Sequence, residues 1–565
     1  MVDAAAEGRH ALLVAATGAG KTLSGFLPTL VELISPLPFR GGVGGGGCHD
    51  STASADTPHP KPSPEGEGLT TLHTLYISPL KALAVDVRRN LLMPVEEMGL
   101  PIRIETRTGD TPSERKARQR VRPPHILLTT PESLSLLLSH EDSLLLFAGL
   151  KRVIIYEVHA FANSKRGDLL SLSLARLQKL SPQMQRVGLS ATISDPDAYR
   201  AWLAPYGEID AVRLVEGEPA ADPDLQILLP EGRVPWSGHS GQYAVPQLID
   251  EIGKNRTTLI FCNTRFLAEF IFQRLWDAND PKYAIGIHHG SLSVEARRKV
   301  EGAMAAGELK ALVCTASLDL GVDWGDVDCV IQMGAPKGSS RLLQRIGRSN
   351  HRMDEPSKAL LVPGNRFEYL EAQAAFDAVE EGVRDGEVFR PGGYDVLAQH
   401  VMACACAAPF NEAELLDEVR SAMPYSGLDA VTFGRVIEFV ATGGYALKAY
   451  DKFRKLVPDG KGNWRLSHPK FAAQHRFNAG IIVDAPMLDV RFKNGRSLGR
   501  VEEYFAAPLR PGDSFIFAGM ALEVEAILDL DLIVRAAKKA AQIPSYMGAR
   551  MPLTTHLAER VRAIL

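Results

Sequence analysis

The stretch Ala15-Ala16-Thr17-Gly18-Ala19-Gly20-Lys21-Thr22, directly after the apolar run Ala11–Val14, decides how the rest of this chain is read. A buried strand there feeds a glycine-bearing loop, and a helix is predicted to begin at Lys21–Thr22. Small residues let successive backbone N–H groups curl around a phosphate. A lysine supplies a point charge for the outer phosphates, and the Thr22 hydroxyl can sit on Mg²⁺. Ala15 stands where the usual pattern has its first glycine, so the match rests on Gly20-Lys21-Thr22 with Thr17-Gly18 ahead of it. Thr17, Gly18, Ala19, Gly20, Lys21 and Thr22 are therefore the phosphate-binding candidates.

Working outward, 565 residues suffice for three or four domains, each with its own core. Apolar content of 45% and charged content of 23% are those of an ordinary globular protein. A net charge of -4 does not announce a nucleic-acid binder, yet a global sum can hide a basic cleft. No run approaches ~18 uncharged apolar residues and no basic-then-apolar leader opens the chain, so a cytoplasmic protein without membrane contact is expected. The six cysteines are scattered and none forms a CxxC, which fits a reducing compartment better than a disulfide framework or a zinc site. Cys404, Cys406 and His400 are read as core residues on different faces of one helix.

Up to about residue 200, strand-like runs alternate with helical stretches: Ala11–Ala15, Thr74–Ile77, Ile102–Thr106, Ile126–Thr129, Val153–Ile155 and Val187–Leu189. Several end in a polar or small cluster, as at the carboxyl edge of a parallel sheet. Residues 41–68 are a flexible insertion by composition, whose deletion is expected to leave activity nearly unchanged. A second alternating series comprises Thr258–Phe261, Ala284–Ile287, Ala311–Cys314, Asp328–Gln332 and Ala359–Val362. The fold expected is α/β: two tandem parallel-sheet lobes (residues 1–215 and 241–390) joined by a linker at 216–240. A mostly helical domain with a short β-wing at Asn463–Leu466 follows (391–475). Period-two alternation then marks a β-rich domain (476–565), with Asn494-Gly495 as a hairpin turn.

Chemistry collects at the strand ends. Glu157 follows the apolar strand Arg152–Ile155 and is placed to orient and deprotonate an attacking water. Ser190-Ala191-Thr192 ends the next strand and can couple the site to lobe movement. In the second lobe, Thr315–Asp323 and Gln344-Arg345-Ile346-Gly347-Arg348 form the facing wall. An arginine from a second lobe that reaches a γ-phosphate stabilises charge only when the lobes close, which couples hydrolysis to motion.

The ordered motifs resemble the superfamily 2 helicases, specifically the Lhr-type (large helicase-related) group: ATGAGKT, SPLKAL (78–83), TTPESL (129–134), YEVHA (156–160), SKRGD (164–168), LSAT (189–192), FCNTR (261–265), HHGSLS (288–293), TASLDLGVDWGDVD (315–328) and QRIGRSNHR (344–352). The bacterial ligase-associated DEXH-box branch is the nearest likeness. The resemblance covers nearly the whole chain and implies two RecA-like lobes, a winged helix and a β-barrel-like domain. It implies ATP-driven 3′→5′ translocation on single-stranded DNA by a monomer, with unwinding of DNA or DNA:RNA duplex in repair beside a ligase or nuclease. ATP and Mg²⁺ are the implied cofactors. By motif, Lys21, Glu157, Gln344 and Arg348 are catalytic, with Glu157 as base. Gly321, Asp323 and Arg348 touch nucleotide, and Thr22 and Glu157 hold the metal. Ser78, Lys81, Arg107, Thr108, Thr130, Ser133, Asn263, Arg265, His289 and Thr315 clamp the strand without reading its sequence. Lys448, Tyr450, Lys452, Phe453, Arg454 and Lys455 could stack bases and hold phosphates, but the preferred reading is an amphipathic helix with a solvated face.

Three departures qualify the likeness. Tyr156 stands where the family has an aspartate that organises Mg²⁺, and a phenol is uncharged near neutral pH and bulkier. Impaired hydrolysis is the expectation, which raises a second reading: a nucleic-acid-binding protein that scarcely turns over. An RNA-remodelling helicase is the third. The chain opens close to the P-loop strand, without the upstream glutamine that reads adenine in such helicases. It stops after Met551–Leu565, so both ends read as truncations. His351 beside Arg352 follows family style.

Overall fold

The computed structural model describes the chain apart from residues 17–18, 35–70, 192, 219–220, 229–233, 237, 239–240, 320–326, 350–355, 387–388, 482–485, 539–541 and 547–552. The insertion read at 41–68 lies outside the described residues.

Short branched and apolar runs build the first sheet: His10–Val14 (β1), Thr74–Ile77 (β2), Ile104–Arg107 (β3), Ile126–Thr129 (β4), Arg152–Tyr156 (β5), Gln185–Ser190 (β6) and Val212–Glu216 (β7). They lie in the order β3-β4-β2-β5-β6-β1-β7, every pair parallel. β2, β4, β5 and β6 are buried along their whole length, because helices cover both faces of a parallel sheet. Leu12, Leu75 and Ile155 have no exposed surface; each contributes about 1.5–3 kcal/mol of burial.

The second sheet combines Asp224–Ile227 (β8), Thr258–Cys262 (β9), Ile285–His288 (β10), Ala311–Cys314 (β11), Cys329–Met333 (β12) and Lys358–Val362 (β13), in the parallel order β10-β11-β9-β12-β13-β8. Here the linker reading needs correction. β8 lies inside 216–240, yet it pairs with β13, and Leu225 enters the second lobe's core. Proline and glycine around a four-residue strand hid it.

Phe410–Asn411 (β14), Leu456–Pro458 (β15) and Asn463–Leu466 (β16) form the wing of the third domain, whose helices include Tyr394–Ala407, Glu412–Arg420 and Ala430–Thr442. This domain shares one core with the first lobe, where Leu169, Leu172 and Ala175 pack among Val396, Leu397 and Val401. The basic-aromatic cluster at 448–455 is not the amphipathic helix expected. Gly443 and Gly444 both take positive φ (77° and 86°) and end the preceding helix. An exposed turn follows, with Tyr445, Tyr450 and Phe453 in solvent.

Met487–Phe492 (β17), Ser497–Glu502 (β18), Ser514–Phe517 (β19), Met520–Leu528 (β20) and Asp531–Ala536 (β21) make a curled half-barrel in the order β18-β17-β21-β20-β19. Asn494-Gly495 turns β17 into β18, with Gly495 at φ 84°. The β-rich reading of 476–565 holds only to β21. The last helix, Thr555–Ile564, returns to the second lobe, where Leu557 is fully buried and Arg560 donates to both carboxylate oxygens of Glu381. Among the described residues no helix is long and apolar enough to cross a membrane.

Candidate functional site

β1 ends in the loop that the sequence singled out. Ala15 N–H donates to Ser190 O, and Gly20, at φ 71° in the left-handed region, starts the helix Lys21–Ile34. Thr17 and Gly18 lie outside the described residues. Lys21 is 6% exposed, and its Nζ donates to the carbonyls of Ala15 and Ala16 at 2.9 Å each. Burial lowers its pKa, Glu157 partly opposes this, and Arg348 adds to it.

β5 delivers Tyr156 and Glu157 to the same place. Glu157 adopts φ 54°, ψ 57°, a left-handed conformation costing about 1–3 kcal/mol for a residue with a side chain, and one that gathers at functional sites. Its buried carboxylate lies 3.4 Å from His159 Nε2, out of line for a hydrogen bond, and Oε2 has no hydrogen-bond partner. His159 Nδ1 meets Ser190 Oγ at 2.9 Å, joining the ends of β5 and β6. Burial holds His159 below the usual histidine range, so a neutral imidazole sits beside Glu157. Tyr156 is 7% exposed, its ring 5.9 Å from Tyr76, and its hydroxyl is within hydrogen-bonding reach of Thr22 and Glu157. Burial first, then Glu157, pushes the phenol well above the usual tyrosine range, so it stays neutral.

The second lobe supplies the facing wall. Arg348, 5% exposed, donates from Nη2 to Asp319 O, and its charge is felt at both Lys21 and Tyr156. Lys21, Thr22, Tyr156, Glu157 and Arg348 are thus brought together across the lobes. Gln344 lies half-buried on the helix Ser339–Ile346. Gly321 and Asp323 lie outside the described residues. A neighbouring network was not foreseen. Buried Arg345 pairs with Asp319 at 2.8 and 3.1 Å, donates to Gln332 at 2.6 Å, and stands 5.0 Å over the Phe261 ring. Only its place in the QRIGR run could have drawn attention to it.

The residues expected from the motifs to clamp a nucleic-acid strand lie at or just after the carboxyl edges of the two sheets. In the first lobe Ser78 follows β2, Arg107 ends β3 with Thr108 next, and Thr130 follows β4 with Ser133 one turn on. Ser78 Oγ donates to Leu80 O, and Thr130 Oγ1 donates to Ser133 Oγ at 3.3 Å. Lys81 is exposed and pairs with Asp110 at 2.8 Å. Burial, reinforced by Arg120, brings the Arg107 pKa down to about 10. Arg166, in the SKRGD run, donates to Glu132 at 2.6 and 3.1 Å and to Pro79 O at 2.8 Å, tying three motifs together. Asp168 of the same run receives Arg390 Nη2 at 2.9 Å and Gly393 N–H at 3.0 Å, anchoring the entry to the third domain.

In the second lobe Thr315 follows β11, and Arg265 donates to Ser291 Oγ at 3.0 Å beneath the Tyr546 ring. Asn263 points into the lobe, donating to Ala335 O and accepting from Gln332 and Arg345. His289 departs from expectation. It has no exposed surface, lies 3.0 Å from Glu269 Oε1, and packs edge-on against Phe517 of the half-barrel, which covers it.

Two parallel-sheet lobes meeting at a phosphate loop, a buried acid and an arginine from the second lobe define a RecA-like nucleotide-dependent motor class. Family profiles match in the same order: DEAD/DEAH box helicase over residues 1–200, helicase conserved C-terminal domain over 243–353, and large helicase-related protein, winged helix domain, over 378–544. The chain belongs to the large helicase-related (Lhr-type) superfamily 2 helicase family. The ATP-dependent helicase Lhr-Core protein 2 of Thermococcus barophilus is 34% identical over 98% of this chain and 63% of its own length. The Lhr helicase/uracil glycosylase of Escherichia coli is 31% identical over 99% of this chain and 39% of its own. The structure of the Mycobacterium smegmatis helicase Lhr bound to ssDNA and AMP-PNP superposes with a TM-score of 0.71 at 32% identity, covering 86% of this chain and 60% of that one. This chain therefore spans under two thirds of the length of these relatives.

Proposed function

We propose that this chain is the motor of an ATP-dependent DNA helicase that moves along single-stranded DNA and opens DNA or DNA:RNA duplexes during repair. The observation that carries the reading is that buried Lys21 and Glu157 of one lobe share a site with buried Arg348 of the other, within electrostatic range, because a site completed only across two lobes links nucleotide state to lobe movement. The Mycobacterium smegmatis relative, bound to ssDNA and a nucleotide analogue, supports strand and nucleotide as ligands. Translocation 3′→5′, action as a monomer, a cytoplasmic setting, and a ligase or nuclease partner belong to the same proposal, on the family likeness.

Each residue's part follows from its place. Lys21 leaves the Ala15 and Ala16 carbonyls for phosphate oxygens. Glu157 takes a proton from the attacking water, its partnerless Oε2 being the available acceptor. Arg348 offsets charge that develops on the γ-phosphate. Thr22 and Glu157 fit a magnesium ion held mostly by phosphate oxygens and water, and the ion would neutralise phosphate charge. Tyr156 offers it only a neutral phenol. For that reason a second reading stands beside the first: nucleotide and strand bind, and hydrolysis is slow.

The test is ATP hydrolysis with and without single-stranded DNA, on this chain and on Tyr156→Asp. Turnover by the Asp form alone supports the second reading. DNA-stimulated turnover by both supports the first. Stimulation by RNA and not by DNA would sink the DNA reading, and no nucleotide binding by either would sink both.

A further inference from the structure

The winged-helix domain carries a cluster that the motor does not use. His400 and Cys404 are four residues apart on the helix Tyr394–Ala407, so they share one face and stack one turn apart. Cys406 lies on a different face of that helix from His400, as expected, but Cys404 does not. Glu418 reaches the same point from the helix Glu412–Arg420. All three are buried, at 3%, 3% and 5% exposure. His400 Nε2 is 3.5 Å from Cys404 Sγ and 3.8 Å from Glu418 Oε1, and the three donor atoms lie within 4.8 Å of one another.

Hydrogen bonding holds this group only loosely: Nε2 has one proton to share between the thiol sulfur at 3.5 Å and the carboxylate at 3.8 Å, although, against burial, both partners favour the protonated ring and raise its pKa to about 9. Glu418 Oε1 has no hydrogen-bond partner, although it is buried. Its other oxygen, Oε2, is held by Arg176 at 2.9 Å and lies 3.7 Å from Lys179, both on the first lobe's helix Lys165–Leu180. That fixes the carboxylate's rotation and leaves Oε1 aimed at the imidazole and thiol, as an outer-shell partner does for a metal ligand.

We propose that His400, Cys404 and Glu418 bind one zinc-class divalent cation at the junction of the winged helix and the first lobe. Nitrogen, sulfur and oxygen donors together suit a borderline-soft ion rather than magnesium or calcium. With Zn–N near 2.0–2.1 Å and Zn–S near 2.3 Å, a tetrahedral N···S edge is about 3.5 Å, the separation found here. The N···O edge needs a closure of about half an ångström. Glu418 also lines a cavity of about 250 Å³ with Glu414, Asp417, Lys179 and Tyr206, which opens on the side of the carboxylate away from His400 and Cys404. Binding releases to solvent both the thiol proton and the Nε2 proton that Cys404 and Glu418 favour on His400. The ion would join two helices of the winged domain at the face that docks on the motor.

The test is metal content and cobalt spectroscopy on the full chain. Mass-spectrometric zinc determination after dialysis is expected to give about one equivalent per chain, falling at least tenfold in Cys404→Ala and unchanged in Cys406→Ala. Cobalt should produce a thiolate-to-cobalt charge-transfer band and the strong d–d bands of a four-coordinate site, both absent from Cys404→Ala. Should Cys404→Ala fail to fold, Glu418→Gln, which keeps an oxygen for Arg176, is expected to weaken zinc at least tenfold. The proposal is overturned if the unsubstituted chain holds no zinc and gives no charge-transfer band, or if the band survives in Cys404→Ala; the cluster is then an ionic group of Glu418 with Arg176, Lys179 and His400.

Discussion

At the end of β5, Tyr156 turns its ring against Tyr76 and its hydroxyl toward Thr22 and Glu157, so a bulky neutral phenol stands where a carboxylate would offer charge to a cation. Tyr156→Asp is expected to raise kcat for ATP at least tenfold, whereas Tyr156→Phe, which keeps the bulk, leaves it near the parent value; steady-state hydrolysis at saturating Mg²⁺ distinguishes them. Glu157→Gln should lower kcat by about 10²–10⁴ with nucleotide affinity retained, since proton transfer and not binding is lost. Comparable losses in kcat and affinity would refute that assignment. Lys21, Glu157 and Arg348 could be singled out from the chain because loop, strand end and arginine recur in order. Arg166 and Arg345 could not be assigned, because their partners Glu132, Pro79, Asp319 and Gln332 meet them only once the strands are aligned.

Elements add a second tier of dependence. β18 runs against the HHGSLS loop of the second lobe: Ser293 N–H donates to Leu498 O, and Arg500 N–H donates to Ser291 O at 2.8 Å. Gly499, at φ +140°, permits this approach, since a Cβ there would stand 2.1 Å from Ser291 O. Gly499→Val should therefore undock the half-barrel and expose His289 and Phe517, read as faster hydrogen exchange at 285–293 and 514–519 with the first lobe unaffected. The C-terminal helix is pinned by Leu557. Leu557→Ala is expected to cost about 2–5 kcal/mol locally and to loosen helix Arg366–Glu380 beside it, again visible by exchange. Unchanged protection in that helix would show that the return of the chain is not stabilising.

Over the whole molecule, several half-buried histidines are held neutral. Burial brings His10, His73, His140 and His475 down to about 4, helped by neighbouring arginines such as Arg186 at His10. The unfolded chain takes up these protons near pH 6.5, so their contribution is complete above that value and is lost as pH falls toward 4. The thermal midpoint should drop by several degrees between pH 7 and pH 5, and a flat profile would contradict the burial of these rings. The strand runs Thr74–Ile77, Ile126–Thr129 and Ala311–Cys314 were legible residue for residue, because each is a continuous apolar run between turn signals. β7, β8 and β21 escaped, as short or half-polar strands carry too little pattern to compete with nearby loops.

By itself the sequence determined what local chemistry and periodicity encode: a phosphate loop after a strand, an acid after another, two alternating α/β series, a mostly helical stretch with a short β-wing and a β-rich segment. Backbone conformation and hydrophobic period act over neighbouring residues, so they survive in one dimension. The tertiary structure alone decided which distant groups meet. It brought Arg348 within electrostatic range of Lys21, covered His289 with the half-barrel, carried the last helix back to the second lobe, and brought Glu418 to His400 and Cys404. Such meetings depend on how whole elements bury their faces against one another, and no short stretch of chain records the partner it will find.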